Sequence, residues 1–312
     1  MVKIFKPKFW DKGKFNFFSL MLFPFSLVTL LIIYFKKHFI IKKKFKIPII
    51  CIGNIYIGGT GKTPASIWLA QEISKLGFRT AILRKLYKNH YDEYNQIKNS
   101  YSNLIVNKNR IKGLTELENN GYDLAILDDG LQDYKIKKDL SIVCFNSNQL
   151  IGNGLVIPAG PLRESLKAIE NSDLVLINGK KNEQFEKKLL KLNRKLKIFY
   201  SYYKPTNIEE FKNHNLLALA GIANPKNFFN LLEKNNLIIR EKLIFPDHYK
   251  FDKSEIQNII ARAEKNNLKI VMTEKDFFKV NNFNLNNINY LKVSLEIPNK
   301  KDIINEIKKL SN

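Results

Sequence analysis

The chain has 312 residues, which is long enough for two domains with hydrophobic cores of their own. Lysine and arginine total 52 against 29 aspartates and glutamates, a formal charge of +23, yet 45% of the residues are hydrophobic, which excludes a disordered polycation. The two cysteines, far apart in the sequence, are too few for a disulfide scaffold or a cysteine-built zinc site.

The first predicted element is an apolar segment close to the N-terminus. Residues 16–35 hold no charged side chain over 20 positions, the length at which a helix spans a bilayer, and Pro24 is tolerated in such helices. The segment ends in Tyr-Phe-Lys-Lys and has no small-residue cleavage site, so we predict a retained membrane helix instead of a signal peptide. A buried core helix and a helix lying in the membrane interface are the alternatives.

The high positive charge has three interpretations, namely nucleic-acid binding, attraction to an anionic membrane or substrate, and a lysine-rich coding bias. Only seven of the 52 basic residues are arginine, the residue that base and phosphate readers favour, so we predict no nucleic-acid partner. Anionic membrane lipids are the predicted partner of the lysines that flank the apolar segment, which are Lys12, Lys14, Lys36, Lys37, Lys42, Lys43, Lys44 and Lys46.

From Ile47 onward, short apolar runs alternate with helical stretches, a pattern typical of parallel α/β sheets. In the first block, strands are predicted at 47–52, 79–83, 103–106, 124–127, 140–145 and 173–177, with helices at 61–76 and near 164–169. In the second, strands are predicted at 216–220, 269–272 and 290–293, with helices near 225–235 and 253–264. The polar stretch 205–214 separates the blocks. We therefore predict a membrane-anchoring segment at 1–46, a first α/β domain at 47–210 and a smaller one at 211–312.

A glycine-rich loop joins the first predicted strand to the first helix of this body. It ends as a P-loop does, in the required strand–loop–helix setting, with Gly58, Gly59, Thr60, Gly61, Lys62 and Thr63. Backbone N–H groups and the helix N-terminus would bind nucleotide phosphates, Lys62 would reach the β- and γ-phosphates, and the Thr63 hydroxyl would ligate Mg²⁺. Tyr56 replaces the usual first glycine. The alternative is a glycine-rich turn that binds no nucleotide.

Two consecutive acids follow the apolar run 124–127. Asp128 and Asp129 stand where P-loop enzymes carry a carboxylate for Mg²⁺, so we expect one of them to hold the metal directly or through water. Gln132 follows at the carboxyl end of the same strand, where open α/β sheets bind ligands. The alternative is an Asp-Asp-Gly surface turn. Together with the loop, the pair predicts a site for ATP and Mg²⁺, and thus a P-loop kinase domain at 47–210.

The motifs of the chain, in order, resemble those of the tetraacyldisaccharide 4′-kinase family, the inner-membrane lipid A kinases. The resemblance covers nearly the whole chain. Its segments are Pro7-Lys8-Phe9-Trp10, Gly53-Asn54, Gly58 to Pro64, Leu127-Asp128-Asp129-Gly130-Leu131-Gln132, Pro158-Ala159-Gly160-Pro161-Leu162-Arg163-Glu164, Ala220-Gly221-Ile222-Ala223-Asn224-Pro225, Phe245-Pro246-Asp247-His248-Tyr249 and Thr273-Glu274-Lys275-Asp276.

The resemblance implies a fold and a reaction. The fold would be two α/β/α domains, the first a P-loop NTPase-like parallel sheet, preceded by an N-terminal membrane helix. The γ-phosphate of ATP would move, with Mg²⁺, to the 4′-hydroxyl of an acylated glucosamine disaccharide 1-phosphate. The enzyme would work at the cytoplasmic face of the bacterial inner membrane. We predict no protein partner.

The resemblance also implies catalytic residues. The family's base is an aspartate in a G-D-E-P segment supported by the histidine of an F-x-D-H motif, which places Asp92 and His248 in these roles beside Lys62. Glu164 is a possible further site residue. From the residues alone, the alternatives are an ordinary loop acid for Asp92, a structural histidine for His248, and an ion pair with Arg163 at a helix start for Glu164.

The sequence departs from the family pattern in two further places. The family's R-G-Y-G segment is Arg84-Lys85-Leu86-Tyr87 here, and Asp133 replaces the histidine that ends its D-D-G-x-Q-H motif. These departures leave room for a diverged paralogue. The alternative function is a membrane-associated P-loop switch ATPase that recruits a protein partner, and a nucleic-acid binder is the third hypothesis.

Overall fold

The computed structural model describes residues 7–11, 16–87, 91–247 and 249–310. Up to residue 178, a 3₁₀ turn at Lys8–Asp11 precedes the elements α1 (Phe17–Phe39), β1 (Ile49–Gly53), α2 (Lys62–Ser74), β2 (Thr80–Lys85), α3 (Tyr91–Ser100), β3 (Leu104–Asn107), α4 (Arg110–Asn119), β4 (Leu124–Asp128), β5 (Leu140–Asn146), a 3₁₀ turn at Leu166–Asn171 and β6 (Leu174–Asn178).

The remaining elements are α5 (Glu183–Leu192), β7 (Lys197–Pro205), a 3₁₀ turn at Ile208–Phe211, β8 (Asn215–Ala220), α6 (Pro225–Lys234), β9 (Ile238–Ile244), α7 (Lys253–Lys265), β10 (Lys269–Thr273), α8 (Glu274–Val280), a 3₁₀ turn at Asn281–Phe283, β11 (Ile288–Leu291), β12 (Val293–Glu296) and α9 (Lys300–Lys308).

The described chain divides into two compact units. We call one the phosphate-loop unit, whose described residues fall within 6–86, 101–202 and 295–312, and the other the second unit, whose described residues fall within 87–100 and 203–294. Each unit holds its own parallel sheet and its own buried apolar side chains.

The phosphate-loop unit is built on an eight-stranded sheet of order β12-β7-β6-β5-β1-β4-β2-β3. The seven strands from β7 to β3 are parallel to their neighbours. Strands β1, β4, β5 and β6 are buried along their whole length, which explains why their sequences are nearly continuous apolar runs. β1 lies between β4 and β5, so its connection to β2 passes over β4. Such a switch point opens a crevice at the carboxyl ends of the strands.

The second unit has a four-stranded parallel sheet of order β11-β10-β8-β9. Buried side chains of α6 and α7 cover it, among them Phe228, Phe229 and Ile256. The predicted fold class, α/β with a P-loop-type parallel sheet behind an N-terminal apolar helix, is therefore confirmed.

The two units differ from the predicted domains at α3 and at the C-terminal segment; in addition, 203–210 belong to the second unit, and the described residues before 47 belong to the phosphate-loop unit. Helix α3 joins the second unit, where Glu93 lies 3.6 Å from Lys275 and Gln96 lies 3.4 Å from Glu274. Residues 295–312 return to the phosphate-loop unit, where α9 contributes an ion pair of 2.6 Å between Glu306 and Lys197. The apolar patterns predict the strands but not which unit these segments join, because that depends on contacts between residues distant in sequence.

Helix α1 contains most of the predicted apolar segment 16–35 and continues to residue 39. Asn16 begins the helix by accepting a hydrogen bond of 3.0 Å from the N–H of Ser19. Ser19 and Ser26 are its two buried residues, and their hydroxyls donate to the carbonyls of Ala159 (2.9 Å) and Val156 (2.7 Å). The rest of the helix exposes large apolar side chains, namely Phe17, Phe18, Leu20, Met21, Phe23, Phe25, Leu27, Val28, Leu31, Ile32, Tyr34, Phe35 and Phe39.

Candidate active site

The glycine-rich loop takes up a conformation that only glycine adopts easily. Gly58 and Gly61 have φ angles of 89° and 87°, in the left-handed region. The buried side chain of Asn54 holds the loop by donating hydrogen bonds to the Gly58 carbonyl (3.3 Å) and to the Thr60 hydroxyl (2.9 Å). Because Gly61 caps α2 without a side chain, the N-terminal N–H groups of that helix are open to an anion.

Lys62 opens helix α2 and lies 4.0 Å from the carboxylate of Asp129. Burial lowers the pKa of Lys62, and the negative charge of Asp129 opposes this effect. Burial raises the pKa of Asp129, but Lys62 and Arg163 together lower it by more and hold the pKa of that carboxyl below its ordinary value. Arg163 donates to Asp129 over 2.8 Å. Asp129 therefore lies between Lys62 and Arg163, and its ionised form is favoured.

Asp128 is fully buried at the end of β4. One carboxylate oxygen accepts from the Ser66 hydroxyl (2.9 Å), and the other accepts from the Thr63 hydroxyl (3.3 Å) and from the buried guanidinium of Arg84. Arg84 also donates to the Thr63 hydroxyl over 3.1 Å. A hydroxyl next to carboxylates is the hard oxygen set that Mg²⁺ prefers, so Thr63, Asp128 and Asp129 fit that ion by the chemistry of their donors.

Gln132 links this group to the segment that precedes β6. Its amide nitrogen donates to the Asn54 carbonyl (3.0 Å) and to the buried carboxylate of Glu164 (2.9 Å). Its amide oxygen accepts from Arg163 over 3.3 Å. The predicted residues Lys62, Thr63, Asp128, Asp129, Gln132 and Glu164 thus belong to one connected network at the carboxyl edge of the sheet.

The second unit gathers three more of the motifs around α8. Asp276 is buried and accepts from the N–H of Gly221 (2.7 Å), the hydroxyl of Thr273 (2.6 Å) and the ammonium of Lys279 (2.6 Å). The neighbouring Lys275 contacts Asp247 at 2.9 Å and Glu93 at 3.6 Å.

The structure does not describe the side chains of two of the predicted catalytic residues. His248 lies outside the described residues, and the side chain of Asp92, a residue of α3, does so as well. The residues next to them in the chain, Asp247 and Glu93, are the two acids that Lys275 contacts within the second unit.

Sequence reasoning missed several residues of the network. It assigned no role to Asn54, Ser66 or Arg84, nor to Arg110, whose guanidinium donates to the carbonyls of Asp128 (3.3 Å) and Asp129 (2.7 Å). The pairing of β2 with β4 places Arg84 directly opposite Asp128. A prediction of the strand order would have found this pair, whereas Arg110 at the start of α4 carries no local signal.

Comparison with known proteins places the chain in a family. The family model described as tetraacyldisaccharide-1-P 4′-kinase matches residues 18–103 and 92–312. The chain belongs to the tetraacyldisaccharide-1-P 4′-kinase family. Among curated members, it is 42% identical to the tetraacyldisaccharide 4′-kinase of Pelagibacter ubique, with 99% of both chains covered. It is 33% identical to that of Rickettsia akari, with 98% of this chain and 97% of the relative covered.

A solved structure supports the fold of this family member. The crystal structure of LpxK from Aquifex aeolicus, an "apo" form in complex with ATP, superposes with a TM-score of 0.73 at 24% identity and covers 94% of this chain and 99% of that one. The predicted membership of the tetraacyldisaccharide-1-P 4′-kinase family is confirmed. The individual roles of the site residues stay predictions.

Proposed function

We propose that this protein transfers the γ-phosphate of ATP to the 4′-hydroxyl of a tetraacyldisaccharide 1-phosphate, an acylated glucosamine disaccharide and lipid A precursor. The single observation that carries the proposal is the loop from Asn54 to Thr63, backed by the paired acids Asp128 and Asp129, in a chain of the tetraacyldisaccharide-1-P 4′-kinase family. The open N-terminus of α2 and the ammonium of Lys62 suit the β- and γ-phosphates of ATP.

Mg²⁺ is part of the proposal because the donor set fits it. Thr63 and Asp128 would hold the ion, with Asp129 close by, and Mg²⁺ would neutralise charge on the transferred phosphoryl group. Within the protein, Arg84 and Ser66 orient the Asp128 carboxylate, and Arg163 fixes Asp129. Preorganised charge of this kind accounts for most of the catalysis that a phosphotransferase supplies.

Transfer requires that the acceptor loses a proton. The 4′-oxygen forms a bond to the γ-phosphorus, the bond from that phosphorus to the bridging oxygen of ADP breaks, and the hydroxyl proton passes to a base. We propose Asp92 as this base and His248 as its support. Their chain neighbours Glu93 and Asp247 both contact Lys275, which favours a common role for the two segments.

A location at the cytoplasmic face of the bacterial inner membrane completes the proposal. Helix α1 is long and apolar enough to cross a membrane, and most of its surface is exposed on the protein. Its last turn is basic, with Lys36 and Lys37, and further lysines follow at 42–46, which suits anionic lipids. Lys12 and Lys14, predicted to share this role, lie outside the described residues.

The test is a transfer assay with purified acceptor in detergent micelles, using the full chain. We expect Lys62→Ala to lower kcat/KM by at least about 100-fold, near 2.7 kcal/mol of transition-state stabilisation. The matched control is Lys75→Ala at the end of the same helix, where an exposed lysine pairs with Glu72 at 2.6 Å. Normal turnover by Lys62→Ala, or ATP hydrolysis by the wild type that ignores the acceptor, would contradict the proposal.

A further inference from the structure

An ion pair joins the basic end of α1 to the interior of the phosphate-loop unit. The ammonium of Lys37 lies 2.6 Å from the Oε2 atom of Glu164, whose side chain is only 3% exposed. Lys37 itself keeps 34% of its side chain exposed. A surface ion pair contributes little, but an acid that is buried depends strongly on the cation that compensates it.

Glu164 also reaches the phosphate loop through its other oxygen. Oε1 accepts from Gln132, and Gln132 donates in turn to the carbonyl of Asn54, the residue that clamps the loop. The oxygen of the Gln132 amide accepts from Arg163, and the same Arg163 nitrogen holds Asp129 at 2.8 Å. Two residues, Gln132 and Arg163, therefore separate the Glu164 carboxylate from Asp129.

The backbone around Glu164 contacts the helix on one side and the phosphate loop on the other. Towards α1, the carbonyls of Val156 and Ala159 accept from Ser26 and Ser19, and the N–H of Ala159 donates to Ser26 over 3.1 Å. Towards the loop, the N–H of Ile57 donates to the Pro161 carbonyl (2.9 Å), and the N–H of Arg163 donates to the carbonyl of Ile55 (2.6 Å). Residues 156–164 thus form a shared strip between the apolar helix and the loop.

We propose that Lys37 is a positioning residue for the phosphate site, so that the seating of the apolar helix sets the geometry of the nucleotide-binding loop. The inference rests on the proposed function only in taking this loop as a nucleotide site. Without Lys37, the buried Glu164 carboxylate loses the ammonium that lies 2.6 Å from it. The guanidinium of Arg163, the preceding residue, can then rotate towards Glu164 and take the place of that ammonium. Such a turn removes Arg163 from Asp129 and disturbs Gln132 and the loop beneath it.

The experiment is a double-mutant cycle on the full chain in detergent, with Lys37→Ala, Glu164→Gln and the double variant. The first readout is the Kd of a non-hydrolysable ATP analogue with Mg²⁺, which needs no acceptor. The second is kcat and the KM of each substrate in the transfer assay. Unfolding midpoints are measured alongside, and Lys197→Ala, which removes an ion pair of the same length to Glu306 in the same unit, is the control.

We expect Lys37→Ala to weaken analogue binding or lower kcat by about tenfold, with an unchanged KM for the acceptor. The double variant should be no worse than Glu164→Gln alone, because both changes break one chain of contacts. Lys37→Arg should stay within about twofold of the wild type, since a guanidinium can still pair with the carboxylate.

Three results would overturn the inference. The first is that the losses caused by Lys37→Ala and Glu164→Gln add in full in the double variant. The second is that the Lys37→Ala enzyme binds the analogue and turns over as the wild type does. The third is that Lys37→Ala raises only the KM of the acceptor. The last result would make Lys37 a lipid contact. Because analogue binding is measured without acceptor, failure of this inference is distinct from failure of the proposed kinase reaction, which would leave the wild type inactive in transfer.

Discussion

Lys275 donates a hydrogen bond of 2.9 Å to Asp247, the residue directly before His248. The same ammonium lies 3.6 Å from Glu93, the residue directly after Asp92. Lys275 is half-buried on α8 and belongs with both acids to the second unit. One cation therefore ties together the two chain segments that carry the proposed base and its supporting histidine.

We expect Lys275→Ala to lower kcat by about 10- to 100-fold, since misplacing a base by a small distance has effects of this size. Loss of the cation removes the positive charge that Asp247 and Glu93 share, which should raise the pKa of the proposed base and its supporting histidine and move the acidic limb of the pH–rate profile upward. The measurement is kcat against pH with saturating ATP.

Lys275→Arg tests whether charge is what matters, and it should recover most of the activity. Lys242→Ala is the matched control, because Lys242 pairs with Glu233 at 2.5 Å elsewhere in the second unit. A Lys275→Ala enzyme with lower kcat but an unshifted pH profile would point to a purely structural role.

The depressed pKa of Asp129 gives a pH-dependent effect on stability. Its ionised form is favoured in the folded state by Lys62 and Arg163, so its contribution is complete above the ordinary aspartate pKa of about 3.9 and is lost as the pH falls through the lower native value. Asp129→Asn should therefore lower the unfolding midpoint by a constant amount between about pH 8 and 5, and the deficit should narrow below about pH 4.

Denaturant titrations of the wild type and Asp129→Asn across this range provide the measurement. Glu209→Gln serves as the control, since the exposed pair of Glu209 with Lys212 should contribute little at any pH. A deficit that stays constant down to the lowest pH tested would mean that the loss is not electrostatic.

Arg84 and Asp128 form a buried ion pair, and removing one partner should be far more harmful than removing both. We expect Arg84→Met to cost about 3–5 kcal/mol, because it leaves the Asp128 carboxylate buried without its cation. Arg84→Met combined with Asp128→Asn should recover part of that stability while remaining inactive. Urea unfolding of both variants measures the difference, and equal losses would contradict it.

The Ser26 hydroxyl bonds two backbone groups beside α1 at once, the Val156 carbonyl, which also accepts from the N–H of Gly160, and the N–H of Ala159. Ser26→Ala should destabilise the attachment of α1 by roughly 1–3 kcal/mol, since the Val156 carbonyl and the Ala159 N–H lose their common partner. Hydrogen exchange at 156–164 in detergent should rise. Thr29→Ala is the control, because the exposed Thr29 hydroxyl bonds only within its own helix, to Phe25. Equal exchange in the two variants would refute the prediction.

The sequence predicted the buried strands better than the exposed ones. β1, β4 and β5 are apolar runs buried on both faces, so their positions follow from composition alone. Strand β9 was missed because its charged sequence alternates exposed and half-buried positions along Ile238–Ile244. Helix α3 was missed as well, since its few apolar residues give no strong helical pattern.

The residues of the candidate site also fall into two groups, those that local sequence motifs predict and those that depend on tertiary contacts. The loop and its acids stand in motifs whose spacing is local, so Lys62 and Asp128 were predicted from the sequence. Arg84 required knowledge that β2 lies beside β4, and Lys37 required knowledge of where α1 ends in space. Such residues act through tertiary neighbours, which a single sequence does not specify.

Strand β12 and helix α9 add to the phosphate-loop unit from beyond the second unit in the sequence. Strand β12 forms the edge of its sheet beside β7, and Ile303 and Ile307 of α9 are buried. During synthesis, the unit that carries the phosphate loop therefore remains open at this edge until the second unit has been made in full. The second unit is in effect two insertions into the first, 87–100 and 203–294, so a single cut at residue 203 would leave parts of both units in each fragment.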